Sequence, residues 1–463
     1  MKKIIKGTTF AFAMATLLAG CGSTKFVQED YEKAYASGDY DTCITMLKTR
    51  DEDSILNGLD SSMLQYLKKD YAASGRELTA TQAEMQTVSK DMTAAKTMEA
   101  ALVGENSVTY SGATYERILV YSMKAVDSFK MNNVPSAVGV MNDYTGNYKE
   151  EIAALVAQQK EIAQSSDALA NDPKFSQASG AMEKVGVPVN VSSMISKAPA
   201  SSTVVYEASP FLSYLGTLAY AANGDSVHAK DFASVLASTN SKLDVSEDLA
   251  VPEGKGRLDV IALTDTIGKR SQAGEQELVG QIGNVLVNFK VVYPVFGAQS
   301  HTISVKSVAL SNGESKSFTL IEDFDEAVKT DVALKARGAY NRSLFRNVTK
   351  NSAAVVAGVA SLKKAEDALN NANGNALKAA AAQKAYEAAV TGVNASLIEV
   401  VDAEKADVRQ ASNFPNKASA AGFTVEPGTY TVTVEYSDGT KDVIENVTVD
   451  AGKPTVVVSE KMN

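Results

Sequence analysis

"YEKAYASGDYDTC" (residues 31–43) decides how the first half of the chain is read. A helical pattern rich in tyrosine and alanine stops at Gly38-Asp39-Tyr40, and a second helical pattern carrying Cys43 starts at once. Glycine takes the left-handed geometry that ends a helix, and an aspartate beside it caps the helix that follows. The plan returns in "AYAANGDSVHA", where Gly224-Asp225 falls over Gly38-Asp39 and Ala229 over Cys43. A weaker copy, "FKMNNVPSA", puts Ala137 at the same place. The shared requirement is a small residue where two helices cross, so Cys43 reads as a packing residue and not as a reactive thiol.

This turn and crossing point resemble the tetratricopeptide (TPR) helix-turn-helix. The copies fall at 38, 132 and 224, not at a period of about 34 residues. The reading is therefore a set of TPR-like hairpins with inserts, covering residues 21–245. After residue 250 the period changes from helical to alternating. "GRLDVIALTD", "NVLVNFKVVYPVF", "HTISVKSVAL" and "SKSFTLIED" are β-branched runs bounded by Gly, Pro, Ser and Asn. Helical patterns then occupy 324–412, and "GFTVEPGTYTVTVEYSDGTKDVIENVTVD" is β again, with "SDGT" as a hairpin turn. The expected fold is α+β and multidomain. TPR-like helical hairpins precede a β-rich domain of 250–323 with 417–463, a sheet or a sandwich, into which the 324–412 helices are inserted.

The N-terminus supplies an address. "MKKIIKGTTFAFAMATLLAGCG" has a basic start, a short apolar stretch and Leu18-Ala19-Gly20-Cys21, the order of a secretion signal. Leu-Ala-Gly-Cys here resembles the lipobox of bacterial lipoproteins, which implies cleavage after residue 20 and acylation of Cys21. Several acyl chains on one cysteine anchor stably where one binds marginally. No later run approaches about 18 continuous apolar residues, so the body is expected to be tethered to the bilayer through acylated Cys21. If the cell has two membranes, Gly22 after the cysteine favours the outer one.

Composition narrows the functions. The 463 residues are 45% apolar and 22% charged, with a formal net charge of −10. An acidic chain is a poor partner for nucleic acid, which needs clustered Lys and Arg. With Cys21 acylated, Cys43 has no partner for a disulfide. Two cysteines and two histidines leave too few ligands for a structural zinc. No cofactor is expected.

Taken in order along the chain, "YERILV" (115–120), "SPFLSYLGTLAYAANGD" (209–225), "LIEDFDEAVKT" leading to "RGAYNRSLFR" (320–346), "ADVRQASNFP" (406–415) and "VEPGTYTVTV" (425–434) resemble an uncharacterised family of bacterial lipoproteins. That family joins a TPR-like N-terminal half to a β-rich C-terminal half. The resemblance implies location and architecture but assigns no activity. The chain lacks the tryptophan that the family pattern places after "ADVR", and "SAVGVMND" stands where an acidic-arginine run is expected.

His228 and His301 lie in no nucleophile-elbow or metal-ligand motif. "PEGKGR" (252–257) lacks phosphate-loop spacing, and "EDFDE" (322–326) suits a helix start better than a cation. One cluster stands out. Arg342 and Arg346 are four apart on one helix face, with Arg337 and Tyr340 nearby, and such a set could contact an anion or a protein partner. Its simplest alternative is pairing with Glu322, Asp323 or Asp325. No catalytic set is expected. The expected function is a lipid-anchored scaffold in the bacterial envelope, whose helical hairpins bind an envelope protein. The alternative is a module that binds cell wall or polysaccharide through the β-rich half.

Overall fold

The computed structural model describes residues 26–50, 54–282, 285–297, 302–372 and 374–462. The predicted signal segment, Cys21 and His301 lie outside the described residues. The chain forms two compact units, divided between Asp51 and Glu52.

The first unit contains α1 (Gln28–Ala36) and α2 (Tyr40–Leu47). Gly38 joins them at φ +75°, and the Asp39 carboxylate accepts from Thr42 N at 3.2 Å. Cys43 is fully buried, with Sγ 3.8 Å from the Tyr31 carbonyl.

The second unit begins with α3 (Ser54–Leu67), α4 (Tyr71–Asp91), α5 (Ala94–Val103), α6 (Thr114–Lys130), α7 (Val134–Asp143) and α8 (Lys149–Ala168). The helices α9 (Pro173–Lys184), α10 (Val191–Ser196), α11 (Pro210–Ala222), α12 (Ser226–Thr239) and α13 (Ser246–Leu249) follow. The α6/α7 and α11/α12 hairpins repeat the first turn. Asn132 and Gly224 have φ of +54° and +80°, and Asn133 and Asp225 cap the next helix. Ala137 and Ala229 are fully buried.

A fourth hairpin, α3/α4, has the same construction with Lys69 in the left-handed position at φ +66°. Asp70 caps it through Ala73 N, and Ser74 is the fully buried crossing residue. In all four turns the capping residue's N–H returns to the carbonyl five residues back: Asp39 to Ala34, Asp70 to Gln65, Asn133 to Ser128 and Asp225 to Tyr220. This is the backbone closure that satisfies a helix C-terminus.

The strands are β1 (Gly256–Thr266), β2 (Arg270–Ile282), β3 (Val285–Phe296), β4 (Val305–Leu310), β5 (Ser315–Ser317) and β6 (Thr319–Asp323). After α14 (Phe324–Asn370) and α15 (Ala376–Ala403) come β7 (Pro415–Val425), β8 (Gly428–Tyr436), β9 (Lys441–Val449) and β10 (Pro454–Lys461). One sheet runs β10-β1-β7-β6, with β1 and β10 parallel; another runs β5-β4-β8-β9. The tail strands thus pair with those of 256–323. Leu258, Val260 and Phe423 of the first sheet meet Val308, Val432 and Val434 of the second, which makes the arrangement a sandwich.

The opposite face of the first sheet packs under the helices. Ile261, Leu263, Val456 and Val458 share a core with Met63, Ile118, Phe211 and Leu215. The change from helix to strand near residue 250 therefore falls inside one compact unit.

Strands β2 and β3 form a separate ribbon laid on α14. An open strand edge leaves polar backbone groups that must be satisfied. Asn347 supplies both partners for Lys290: its Oδ1 accepts from Lys290 N at 3.1 Å and its Nδ2 donates to Lys290 O at 2.8 Å. Ser343 Oγ accepts from Val292 N at 3.0 Å. The β6 edge is closed likewise by Asn240, which donates to the Leu320 and Ile321 carbonyls.

Candidate functional site

The arginine-rich stretch of α14 folds inward. Arg342 grips Glu105 with both ends of its guanidinium, Nε to Oε1 at 2.9 Å and Nη2 to Oε2 at 2.7 Å. Its Nη1 donates to Ser166 Oγ at 2.7 Å. Arg346 pairs in the same forked way with Glu404, at 2.9 and 2.8 Å, and reaches Glu105 Oε1 at 2.9 Å. Arg337 is partly exposed and pairs with Asp167 at 3.1 Å, while the Tyr340 hydroxyl donates to Met194 O at 2.6 Å. Four-residue spacing does bring Arg342 and Arg346 to one carboxylate.

The partners considered from the sequence, Glu322, Asp323 and Asp325, serve elsewhere. Glu322 accepts from the Tyr206 and Ser209 hydroxyls and from Phe211 N at the start of α11. Burial pushes its carboxyl up to about 7 against those hydrogen bonds. Asp323 caps α14, and Asp325 accepts from Gly268 N at 2.7 Å. Glu322 and Asp323 end β6 and Asp325 lies in the first turn of α14, whereas Glu105 and Glu404 come from the turn after α5 and the end of α15.

Residues of two further quoted motifs lie close by. In "YERILV", Glu116 accepts from Ala113 N at 2.7 Å, from the Tyr110 hydroxyl, and from Ala411 N at 2.8 Å. Burial raises its pKa even so. In "ADVRQASNFP", Arg409 chelates Asp407 at 2.9 and 3.0 Å and donates to Val108 O at 2.7 Å. Burial pushes the Asp407 carboxyl up, but those bonds outweigh it and hold the group below the usual carboxylate range. Arg270 of β2 donates to Asp331 at 2.6 Å and to Arg409 O at 3.0 Å. Lys335 is also 2.9 Å from Asp331.

Between these groups lies a cavity of about 170 Å³, lined by residues of α5, the 105–113 turn, α8, β2, β3, α14 and the 407–409 segment. Its cationic wall holds Arg270, Lys335, Arg342 and Arg409; its apolar wall holds Leu155, Ile162, Leu334 and Ala339. The carboxylates Asp331, Glu404 and Glu116 stand one layer behind. Met92, Leu155 and Gln158 also border a larger groove of about 1060 Å³, walled mainly by α4 and α8. Gln86 crosses it to Glu151 at 3.2 Å and Gln158 to Met92 O at 3.0 Å, while Glu150 and Glu161 stand exposed on its α8 side.

Sequence reading found Arg342 and Arg346 but not their partners, nor Arg270, Lys335 or Asp331. Glu116 and Arg409 sat inside quoted motifs without a role. His228 is engaged by its own turn: its Nδ1 lies 2.7 Å from Asp225 Oδ2 and its ring stacks on Tyr220. No group of three or more metal-ligating side chains occurs among the described residues. Comparison with protein-family models, curated proteins and solved structures found no match for the chain.

Proposed function

We propose that the chain is a lipid-anchored lipoprotein of the bacterial envelope that acts by contact, binding an envelope protein along the groove between α4 and α8. The observation that carries this reading is the groove itself. It is lined mostly by polar side chains, several already held by hydrogen bonds such as Gln86 to Glu151 and Gln158 to Met92 O, so it presents a preformed surface at little ordering cost. The cavity beside Arg342 reads as binding rather than catalytic. Histidine and cysteine are missing from its lining, and Asp407 is committed to Arg409 as an anion, which leaves it a weak base.

Photo-crosslinkers placed at Gln86 and Glu161 in intact cells should capture the same envelope protein, and one at Lys441 on the sandwich should not. Recovery of abundant lipoproteins in proportion to their level from all three positions would refute the reading. The polysaccharide alternative is less favoured. Tyr436 is buried with its hydroxyl on Ser459, and the Tyr430 hydroxyl is tied to Glu426 O. Tyr436 thus offers no open aromatic face on which a sugar stacks, and Tyr430 packs in part against the sandwich core.

A further inference from the structure

Two strand edges of the fold are closed by side chains, β3 by Ser343 and Asn347 and β6 by Asn240. Lys130 Nζ donates to Val458 O of β10, β5 is 3 residues long, and β9 is bulged at Asn446, with φ +59°. The outer edge of β2 has no such closure. Strand β2 pairs with β3 alone. In that ladder Gln276 lies opposite Lys290, whose N–H and C=O both turn outward to Asn347. Directly opposed residues of an antiparallel pair either bond each other through both groups or both turn away. The Gln276 N–H and C=O therefore point out of the ribbon. Gly274, opposite Val292, and Leu278, opposite Asn288, share that phase. All three residues are exposed, and among the described residues nothing bonds these outward backbone groups. Such a run is a template for another strand.

We propose that this edge takes up an extended segment of a partner protein as a further antiparallel strand, at a surface separate from the groove between α4 and α8. Main-chain hydrogen bonds to Gly274, Gln276 and Leu278 supply the pairing, as they do wherever a peptide extends a sheet. Charge selects the occupant. Glu275 and Glu277 flank Gln276 on one face of the ribbon. Lys197 pairs with Glu277 at 2.7 Å and lies near Glu275, so two carboxylates share one ammonium. A second copy paired antiparallel about Gln276 would set Glu275 against Glu277 of the copy, and like charges directly opposite destabilise. A segment with one lysine or arginine opposite Glu275 answers the remaining charge instead. On the other face Leu278 is 57% exposed, so an apolar side chain opposite it gains burial. The occupant is thus an extended stretch without proline, carrying a basic residue and an apolar one three positions apart.

The test is calorimetric titration of the purified chain with an end-blocked peptide, Thr-Leu-Thr-Thr-Lys-Val-Thr, whose Leu and Lys fall opposite Leu278 and Glu275. It should bind with a Kd below about 100 μM, and the Gln276 and Leu278 amides should become protected from deuterium exchange. Methylating the amide nitrogen of the fourth peptide residue, which faces β2, should abolish binding. Methylating that of the third, which faces away, should not. A peptide with glutamate for lysine should bind more weakly by about fivefold or more, and Glu275→Lys should reverse that preference. Gln276→Pro should abolish binding and Gln276→Thr should preserve it, with thermal midpoints reporting that both variants fold. Equal binding of both methylated peptides, indifference to the charge on either side, or no saturable binding overturns the proposal. So does a concentration-dependent dimer that Gln276→Pro abolishes, which would name a second copy as the occupant.

Discussion

Arg342 and Glu105 lie 237 residues apart in the chain and meet in a buried, two-point ion pair. The pair joins α14 to the turn after α5, and Glu105 also serves Arg346. Removing one member of a buried pair strands the other's charge, at a cost of about 3–5 kcal/mol. Glu105→Ala should therefore destabilise more than Arg342→Ala, because it strands two arginines. Urea unfolding of the two variants checks the order; equal losses would mean that Arg346 relies on Glu404 alone.

Asp127 on α6 gives a pH prediction. It is buried, only the Ser74 hydroxyl offsets the loss of water, and its carboxyl is pushed up to about 8. The folded state thus holds a proton that the unfolded chain releases near pH 4, so stability falls as pH rises from about 4 to 8 and then levels off. Asp127→Asn should flatten that slope. At pH 8 the variant should be more stable by a few kcal/mol, read from denaturant midpoints at pH 5 and 8.

Cys43 gives a negative prediction. Burial, with Asp39 nearby, pushes its thiol up to about 11, and only the thiolate reacts. Iodoacetamide at pH 8 should label Cys43 in urea but not in the native chain, read by peptide mass at that residue. Cys43→Ala should cost no more than about 1 kcal/mol, since the site asks for small volume; Cys43→Leu overpacks the crossing and should cost about 1–3 kcal/mol.

Lys69 occupies a left-handed position that a side chain disfavours by about 1–2 kcal/mol. Lys69→Gly should therefore stabilise the chain slightly, against the usual effect of glycine. A thermal midpoint that falls would show that the turn depends on the lysine side chain.

Asn347 is the sole closure of the β3 edge at Lys290 among the described residues. Asn347→Leu leaves one buried-side donor and one acceptor unmet, about 1–3 kcal/mol for each. The Lys290 amide should then exchange with deuterium far faster than its neighbours in β3.

Local signals were legible where the backbone itself dictates the residue. Gly38 and Gly224 announced their turns because glycine is the easy left-handed residue, and the alternation of 256–322 and 428–449 announced strands. The α3/α4 hairpin went unread because Lys69 breaks the glycine rule, although "KKDYAAS" carries the same Asp-Tyr as "SGDYDTC" and a small residue, Ser74, at the place of Cys43. The polar site was illegible for another reason. Glu105, Glu404 and Asp331 are ordinary acidic residues on ordinary helices and turns. Only the path of α14 across the ribbon brings them to the arginines, and no local spacing encodes that path. The closure of strand edges by Asn240 and Asn347 is hidden likewise, since an asparagine just past a helix or on one announces a cap or a surface.

The parallel pairing of β10 with β1 sets an order on folding. Ile261 lies beside Val458, and Val456, Val458 and Met462 belong to the core that Met63, Ile118 and Leu215 also build. The helices synthesised first thus have no complete surface to close on until β10 has emerged. Contacts so distant in sequence form slowly. The helical layer and the sheet beneath it therefore close together, in the step that docks β10 beside β1.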